Sequence, residues 1–136
     1  MMSKIHILVV EDNPGDVLLI QQALDEYGVA YDMHVIHDGA EAVSYLADIG
    51  RTGKRCPDLF LLDLNLPKMD GSEVLTAIRK NDDCAATPVI VISSSDTERD
   101  RARIEGLNVS RYFKKPFDLS GFMRLGGLVR EVVQEH

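Results

Sequence analysis

The chain reads as an α/β protein, a single doubly wound parallel sheet of five strands with five helices. Three observations predict it. Short runs rich in Val, Ile and Leu alternate with stretches of helical periodicity, as successive strand–helix units do. Two of the runs, Leu59-Phe60-Leu61-Leu62 and Val89-Ile90-Val91-Ile92, are continuously apolar, which suits strands covered on both faces. Most of the runs also stop at polar residues, at the strand ends where open α/β sheets bind ligands.

Ile5 to Val10 is the first strand, closed by Glu11-Asp12. Asn13 is the expected N-cap of the first helix and Pro14 its first residue. Val17, Ile20, Ala23, Leu24 and Tyr27 form its apolar stripe, and Gly28 stops it. Asp32 to Ile36 is the second strand. His37-Asp38-Gly39 turns into a helix carrying Ala42, Val43, Leu46 and Ile49, and a polar loop follows over 50–57. The third strand spans 58–63, and Pro67 forbids its continuation. The third helix runs from Ser72 to Asn81 on Val74, Leu75 and Ile78. The fourth strand, 89–92, ends in Ser93-Ser94-Ser95. A heavily charged helix from Asp96 to Glu105 has Ala102 and Ile104 among its few anchors. Arg111 to Lys114 is the fifth strand, ended by Lys115-Pro116. The last helix, from Leu119, carries Phe122, Leu125, Val129, Val132 and Val133. Gly126-Gly127 inside it costs about 1 kcal/mol per glycine against alanine, so a kink or a close approach is expected there.

At 136 residues the chain suits one domain, here 1–136, with no output domain attached. A net charge of −7 argues against non-specific nucleic-acid binding, which needs a basic footprint. No apolar run reaches the roughly 20 residues of a membrane helix, and the reading is of a cytoplasmic protein. Cys56 and Cys84 form no CxxC pair and have no nearby histidine, so they read as free thiols. Asn108-Val109-Ser110 matches a glycosylation acceptor by chance only.

Four strands end in useful chemistry: Glu11-Asp12, Asp63, Ser93 and Lys115. In the common flavodoxin-like order 2-1-3-4-5, strands one and three are neighbours. Their ends lie about 5 Å apart. Asp12 and Asp63 then face each other with Glu11 beside them, and bare they would repel. A divalent cation removes the conflict, and clustered oxygens with room for water and a phosphoryl oxygen suit Mg²⁺ better than Ca²⁺. Each residue has a plainer explanation by itself. Asp63 could cap a turn, the acids could favour a helix dipole, Lys115 could be solvated and Ser93 could form a turn. All together are harder to explain so. A carboxylate beside a metal can accept a phosphoryl group, with a lysine and a hydroxyl as donors to the developing charge. A cis bond before Pro116 is a candidate device for holding Lys115 inward.

Val9-Val10-Glu11-Asp12-Asn13, Leu61-Leu62-Asp63-Leu64-Asn65-Leu66-Pro67-Lys68-Met69-Asp70-Gly71, Pro88-Val89-Ile90-Val91-Ile92-Ser93 and Tyr112-Phe113-Lys114-Lys115-Pro116-Phe117 together resemble the receiver domain of two-component response regulators. The resemblance covers nearly the whole chain. It implies that Asp63 is the phosphoacceptor and that Glu11, Asp12, Asp63 and the backbone carbonyl of Asn65 hold Mg²⁺. It implies that Ser93 is the switch hydroxyl, Tyr112 the switch aromatic and Lys115 the phosphate contact. Asn65 and Ser95 would flank the attacking water and tune the phosphoryl lifetime. The partner implied is a sensor histidine kinase. The longer 50–57 loop, Asp12-Asn13-Pro14-Gly15-Asp16 and Leu64-Asn65-Leu66-Pro67 resemble the stand-alone receivers that serve bacterial phytochromes. Output is expected through the face of helix four, strand five and helix five, as a homodimer. Met123 and Leu128 would supply apolar surface beyond the inner face of helix five.

Other functions fit less well. A phosphoaspartyl hydrolase of the haloacid dehalogenase type places Asp-x-Asp after its first strand. A flavin-binding protein on this fold needs a hydroxyl- and glycine-rich first turn. A pseudo-receiver, acting as an interaction module without phosphorylation, would not fill every site position. The expectation is therefore a signalling module, which catalyses only its own phosphorylation and dephosphorylation.

Overall fold

In the structure, a computed structural model describing residues 4–135, β3 (Leu59–Asp63) and β4 (Val89–Ser93) are buried at every residue. Met1-Met2-Ser3 and His136 lie outside the described residues. β1 (Ile5–Val10) and β2 (Tyr31–Ile36) flank β3 on one side, and β5 (Arg111–Lys114) flanks β4 on the other. The sheet is parallel throughout, in the order β2-β1-β3-β4-β5. Between the strands run α1 (Pro14–Glu26), α2 (Gly39–Asp48), α3 (Gly71–Lys80) and α4 (Glu98–Arg103), with α5 (Leu119–Glu135) last. This is the doubly wound, flavodoxin-like fold expected.

Side chains alternate across a strand, and each face of the sheet has its own core. Leu8, Val10, Phe60, Leu62, Val89 and Val91 face α2 and α3, meeting Leu46, Val74, Leu75 and Ile78. Ile7, Val9, Leu61, Ile90 and Ile92 face α1 and α5, meeting Ile20, Leu24, Phe122, Leu125 and Val129. The register aligns the outgoing ends. Val10 pairs with Leu62, so Glu11 and Asp63 emerge side by side, while Ser93 pairs with Lys114, next to Lys115.

The helices start as their caps dictate. The Asn13 side chain accepts from the N–H groups of Gly15 and Asp16, at 2.8 and 3.2 Å. Asp70 accepts from Ser72 N–H at 2.9 Å and starts α3. A Cβ on the next residue, Gly71, would lie 2.5 Å from the Asp63 carbonyl oxygen and 2.6 Å from Leu64 Cα. Only glycine lets α3 begin so close to the end of β3. Arg79 then ties α3 to the loops before β4 and β5, donating to the carbonyls of Thr87 and Leu107, each at 2.8 Å.

The structure corrects some expectations. Cys56 and Cys84 are joined in a disulfide, not free. β3 carries the chain up the sheet and α3 brings it back, so the two Cα atoms end 5.6 Å apart. α4 is shorter than the expected Asp96–Glu105 and has no buried residue. Ala102 is exposed, and the anchor is Ile104, just beyond the helix. Met123 and Leu128 are half-buried against the α1–α5 core. Gly126 marks a close approach of α5 to α1.

Candidate functional site

The site occupies the crevice beyond the ends of β1, β3, β4 and β5. Asp63 closes β3 and is 3% exposed, while Glu11, just past β1, is 1% exposed. Asp12 beside it is open to solvent. Each of the three offers a carboxylate oxygen, and these oxygens lie within 4.8 Å of one another. Lys115 Nζ reaches into the cluster, 2.8 Å from Glu11 Oε1 and 3.1 Å from Asp63 Oδ2. Asn65 donates its backbone N–H to Asp63 Oδ1 at 2.9 Å and its amide Nδ2 to the buried Ser93 Oγ at 3.1 Å. The structure thus brings together Glu11, Asp12, Asp63, Asn65, Ser93 and Lys115.

Asp16 completes the arrangement. Its carboxylate accepts from Lys115 Nζ at 2.8 Å. Sequence reasoning took it only as part of the Asp12-Asn13-Pro14-Gly15-Asp16 motif and gave it no role of its own, and the signal for more was its place in the first turn of α1, over the strand ends. Lys115 thus has three carboxylate partners, and these hold it inward without a cis turn. Among the described residues no peptide bond is cis, so the expectation for Pro116 is corrected.

Tyr112 and Ser95 lie one layer out, towards α4. Tyr112 donates its hydroxyl to the Ser95 carbonyl at 2.6 Å, and the Arg101 guanidinium lies over its ring at 4.4 Å. The Ser95 hydroxyl donates to Asp100 rather than facing Asp63. Asp100 also pairs with Arg103 at 3.0 Å, and Arg103 pairs with Asp70 at the start of α3. A helix with no buried side chain is therefore held by polar contacts.

The site carries more negative charge than Lys115 can offset. Burial, together with the neighbouring Asp63, pushes the Glu11 carboxyl up to about 8, against the pull of Lys115. Burial alone would lower Lys115, but its contacts with Asp16 and Glu11 and the charge of Asp63 outweigh that and raise it. A hard divalent cation suits this donor set. The three carboxylate oxygens, already within 4.8 Å of one another, would draw closer together around such an ion.

This imbalance has a measurable cost. Between the ordinary 4.5 and about 8, the folded chain keeps a proton on Glu11 that the unfolded chain has released. Stability therefore falls as pH rises through that window. In metal-free buffer at pH 8, Glu11→Gln is expected to be about 1–2 kcal/mol more stable than the wild type. The gain should vanish towards pH 4.5, and urea titrations across the window check it. A variant less stable at pH 8 would contradict this account.

Residues 7–125 match the family model described as the response regulator receiver domain. Response regulator Rcp1 of Synechocystis sp. is 36% identical over 120 residues, covering 88% of this chain and 82% of Rcp1. Among solved structures, the phosphorylated cyanobacterial phytochrome response regulator RcpA superposes with a TM-score of 0.84 at 38% identity. It covers 97% of this chain and 95% of that one. The Mn²⁺-bound form of Rcp1 superposes with a TM-score of 0.83 at 33% identity, over 96% of this chain and 95% of that one. The match runs from β1 into α5 and so takes in every strand end that builds the acidic crevice, and the chain belongs to the response regulator receiver domain family.

Proposed function

We propose that this protein is a phosphorylation-driven response regulator that accepts a phosphoryl group on Asp63 from a histidine kinase of the phytochrome type. One observation carries the proposal. Asp63 lies between a cluster of metal-competent carboxylates and the Lys115–Ser93 side of the crevice, with Asn65 N–H fixing one of its oxygens. The likeness to RcpA, a phytochrome response regulator, supports the choice of kinase.

In this reading an Asp63 carboxylate oxygen attacks the phosphorus of a phosphohistidine. The new O–P bond forms as the N–P bond breaks, and the imidazole leaves with its electron pair. Glu11, Asp12, Asp63 and the Asn65 carbonyl would hold Mg²⁺, which when bound supplies positive charge to the phosphoryl oxygens. Lys115 exchanges a carboxylate partner for a phosphoryl oxygen, and Ser93 turns its hydroxyl from Asn65 towards another. Asn65 borders the path of the water that later hydrolyses the acyl phosphate. Ser95 acts there through its backbone N–H on Ser93 Oγ, at 3.2 Å. The protein is cytoplasmic in this reading and acts as a catalyst only on itself.

Movement of Ser93 draws on the β4–α4 connection. Ser95 follows, and Tyr112 loses its acceptor. The Tyr112–Arg101 and Ser95–Asp100 contacts then rearrange, shifting the face of α4, β5 and α5. A homodimer through that face is part of the proposal. Light scattering with a phosphoryl mimic, on wild type and Met123→Lys, tests it, and a monomer throughout would remove it.

Phosphorylation is tested by incubating wild type and Asp63→Asn with a small acyl phosphate and Mg²⁺, then measuring intact mass. One phosphoryl group is expected on the wild type and none on the variant. Equal labelling of the two would refute the assignment, and phosphotransfer profiling against purified histidine kinases tests the partner separately.

A further inference from the structure

At the opposite end of the sheet from Asp63, the 50–57 loop walls a cavity of about 700 Å³ against β1 and β2. Its lining includes Lys4, His6, His34, Lys54, Arg55 and Cys56. In a chain of net charge −7 such a basic surface is unusual. Of the two lysines and the arginine, Lys4 is paired with Asp32 at 3.6 Å. The acid in the lining, Asp58, accepts from His6 N–H at 2.8 Å. Lys54 sits 5.4 Å from the Tyr45 ring centre, and a bridge between Ile49 and Lys54 fixes the loop.

The disulfide opens onto this cavity from one side only. Cys56 is half-buried and lines it, whereas Cys84 is fully buried in the core beneath α2 and α3. A thiolate attacks a disulfide along the line of the sulfur–sulfur bond, so access decides which sulfur is attacked. From the cavity that sulfur is Cys56, with Cys84 leaving inward. Lys54 and Arg55 line the same cavity and attract an anionic attacker to it.

We propose that Cys56 is a thiol-exchange site for an anionic low-molecular-weight thiol of the glutathione class, with the basic cavity as its recognition surface. In the first step the thiol's sulfur bonds to Cys56 Sγ, the Cys56–Cys84 bond breaks, and Cys84 takes up the proton that the attacking thiol released. A second thiol molecule then attacks the mixed disulfide, freeing Cys56 as a thiol and leaving with the first as their disulfide. The reverse sequence closes the protein disulfide, the small disulfide acting as oxidant. The exchange clamps or frees the start of β3 and the 50–57 loop, and it does not rest on phosphorylation of Asp63.

The test follows exchange on the full-length oxidised protein by acid quench and intact mass. Glutathione is compared with cysteamine, a cationic thiol, at equal thiolate concentration. The glutathione-to-cysteamine rate ratio is expected to fall roughly three- to tenfold in Lys54→Gln/Arg55→Gln, which removes two exposed charges and leaves both cysteines in place. High salt should lower the wild-type ratio in the same direction. Peptide mapping of the acid-quenched wild-type mixed disulfide should place glutathione on Cys56, and Cys84→Ser, which has no internal disulfide, should gain the same adduct from oxidised glutathione, one glutathione leaving as the other bonds to Cys56. A ratio unchanged by the double substitution, or a wild-type adduct on Cys84, would overturn the proposal. Should Cys84→Ser fail to fold, the rate ratios decide alone.

Discussion

Lys115→Met is expected to destabilise the metal-free protein by about 3 kcal/mol at pH 7, the usual consequence of removing one partner from a buried ionic cluster. Lys115 Nζ is the shared donor to Glu11, Asp16 and Asp63, and its side chain is 14% exposed. Methionine matches its apolar stem, so the loss is of charge and hydrogen bonds rather than packing. The sign with pH is fixed. Lys115 is raised above its ordinary 10.5 in the folded chain, so its stabilisation is fully present below that value and lost above it. Towards acid the deficit of the variant should narrow, because the carboxylates left without a partner take up protons. Mg²⁺ should also narrow it, since a ligand that binds only the folded state stabilises by mass action. Urea midpoints with and without Mg²⁺, at pH 5 and pH 7, read all of this. Equal stability of the two proteins at pH 7 without metal would show that the ammonium is not what balances the crevice.

The parts of this arrangement differ in how far the sequence exposes them. β3 and β4 are readable because strands buried on both faces need unbroken apolar runs. Asp63 and Glu11 are readable because each sits where such a run stops, and the strand order then brings them side by side. Asp16 is harder to see. An acid in the first turn of a helix already has a reason to be there, and its bond to Lys115 depends on how α1 leans over the sheet. The disulfide is hidden for a topological reason. Cys56 and Cys84 are 28 residues apart and meet only because β3 and α3 run out and back. α4 shows what composition does not settle. Its charge correctly implies an exposed helix, but the anchor falls on Ile104 beyond the last turn, and the helix is held by Asp100 and Arg103. Polar contacts of that kind are specified by three-dimensional placement, not by periodicity.

Gly126→Ala is expected to cost about 2–3 kcal/mol net, although alanine is the better helix former by about 1 kcal/mol. α5 lies so close to α1 that a Cβ at Gly126 would fall on the Ala23 carbonyl, with the Tyr27 ring 2.7 Å away on the other side. Backbone cannot give way as a side-chain tip can. The two helices would have to separate, opening the core in which Ile20, Leu24, Phe122 and Val129 meet. The neighbouring glycine supplies the control. A Cβ at Gly127 meets only the Tyr27 ring, at 3.1 and 3.3 Å, and that ring is exposed enough to tilt. Gly127→Ala should therefore be neutral or slightly stabilising, its helix propensity unopposed. Urea midpoints of the two variants separate these outcomes, with unchanged slopes showing that the same surface unfolds. The contrast also bears on signalling, because α5 belongs to the face through which the site is proposed to act. A Gly126→Ala protein that still folds should carry α5 displaced from α1, and hydrogen exchange should be faster in α5 than in β3. Equal midpoints for the two variants would mean that the glycine pair is not there for helix packing.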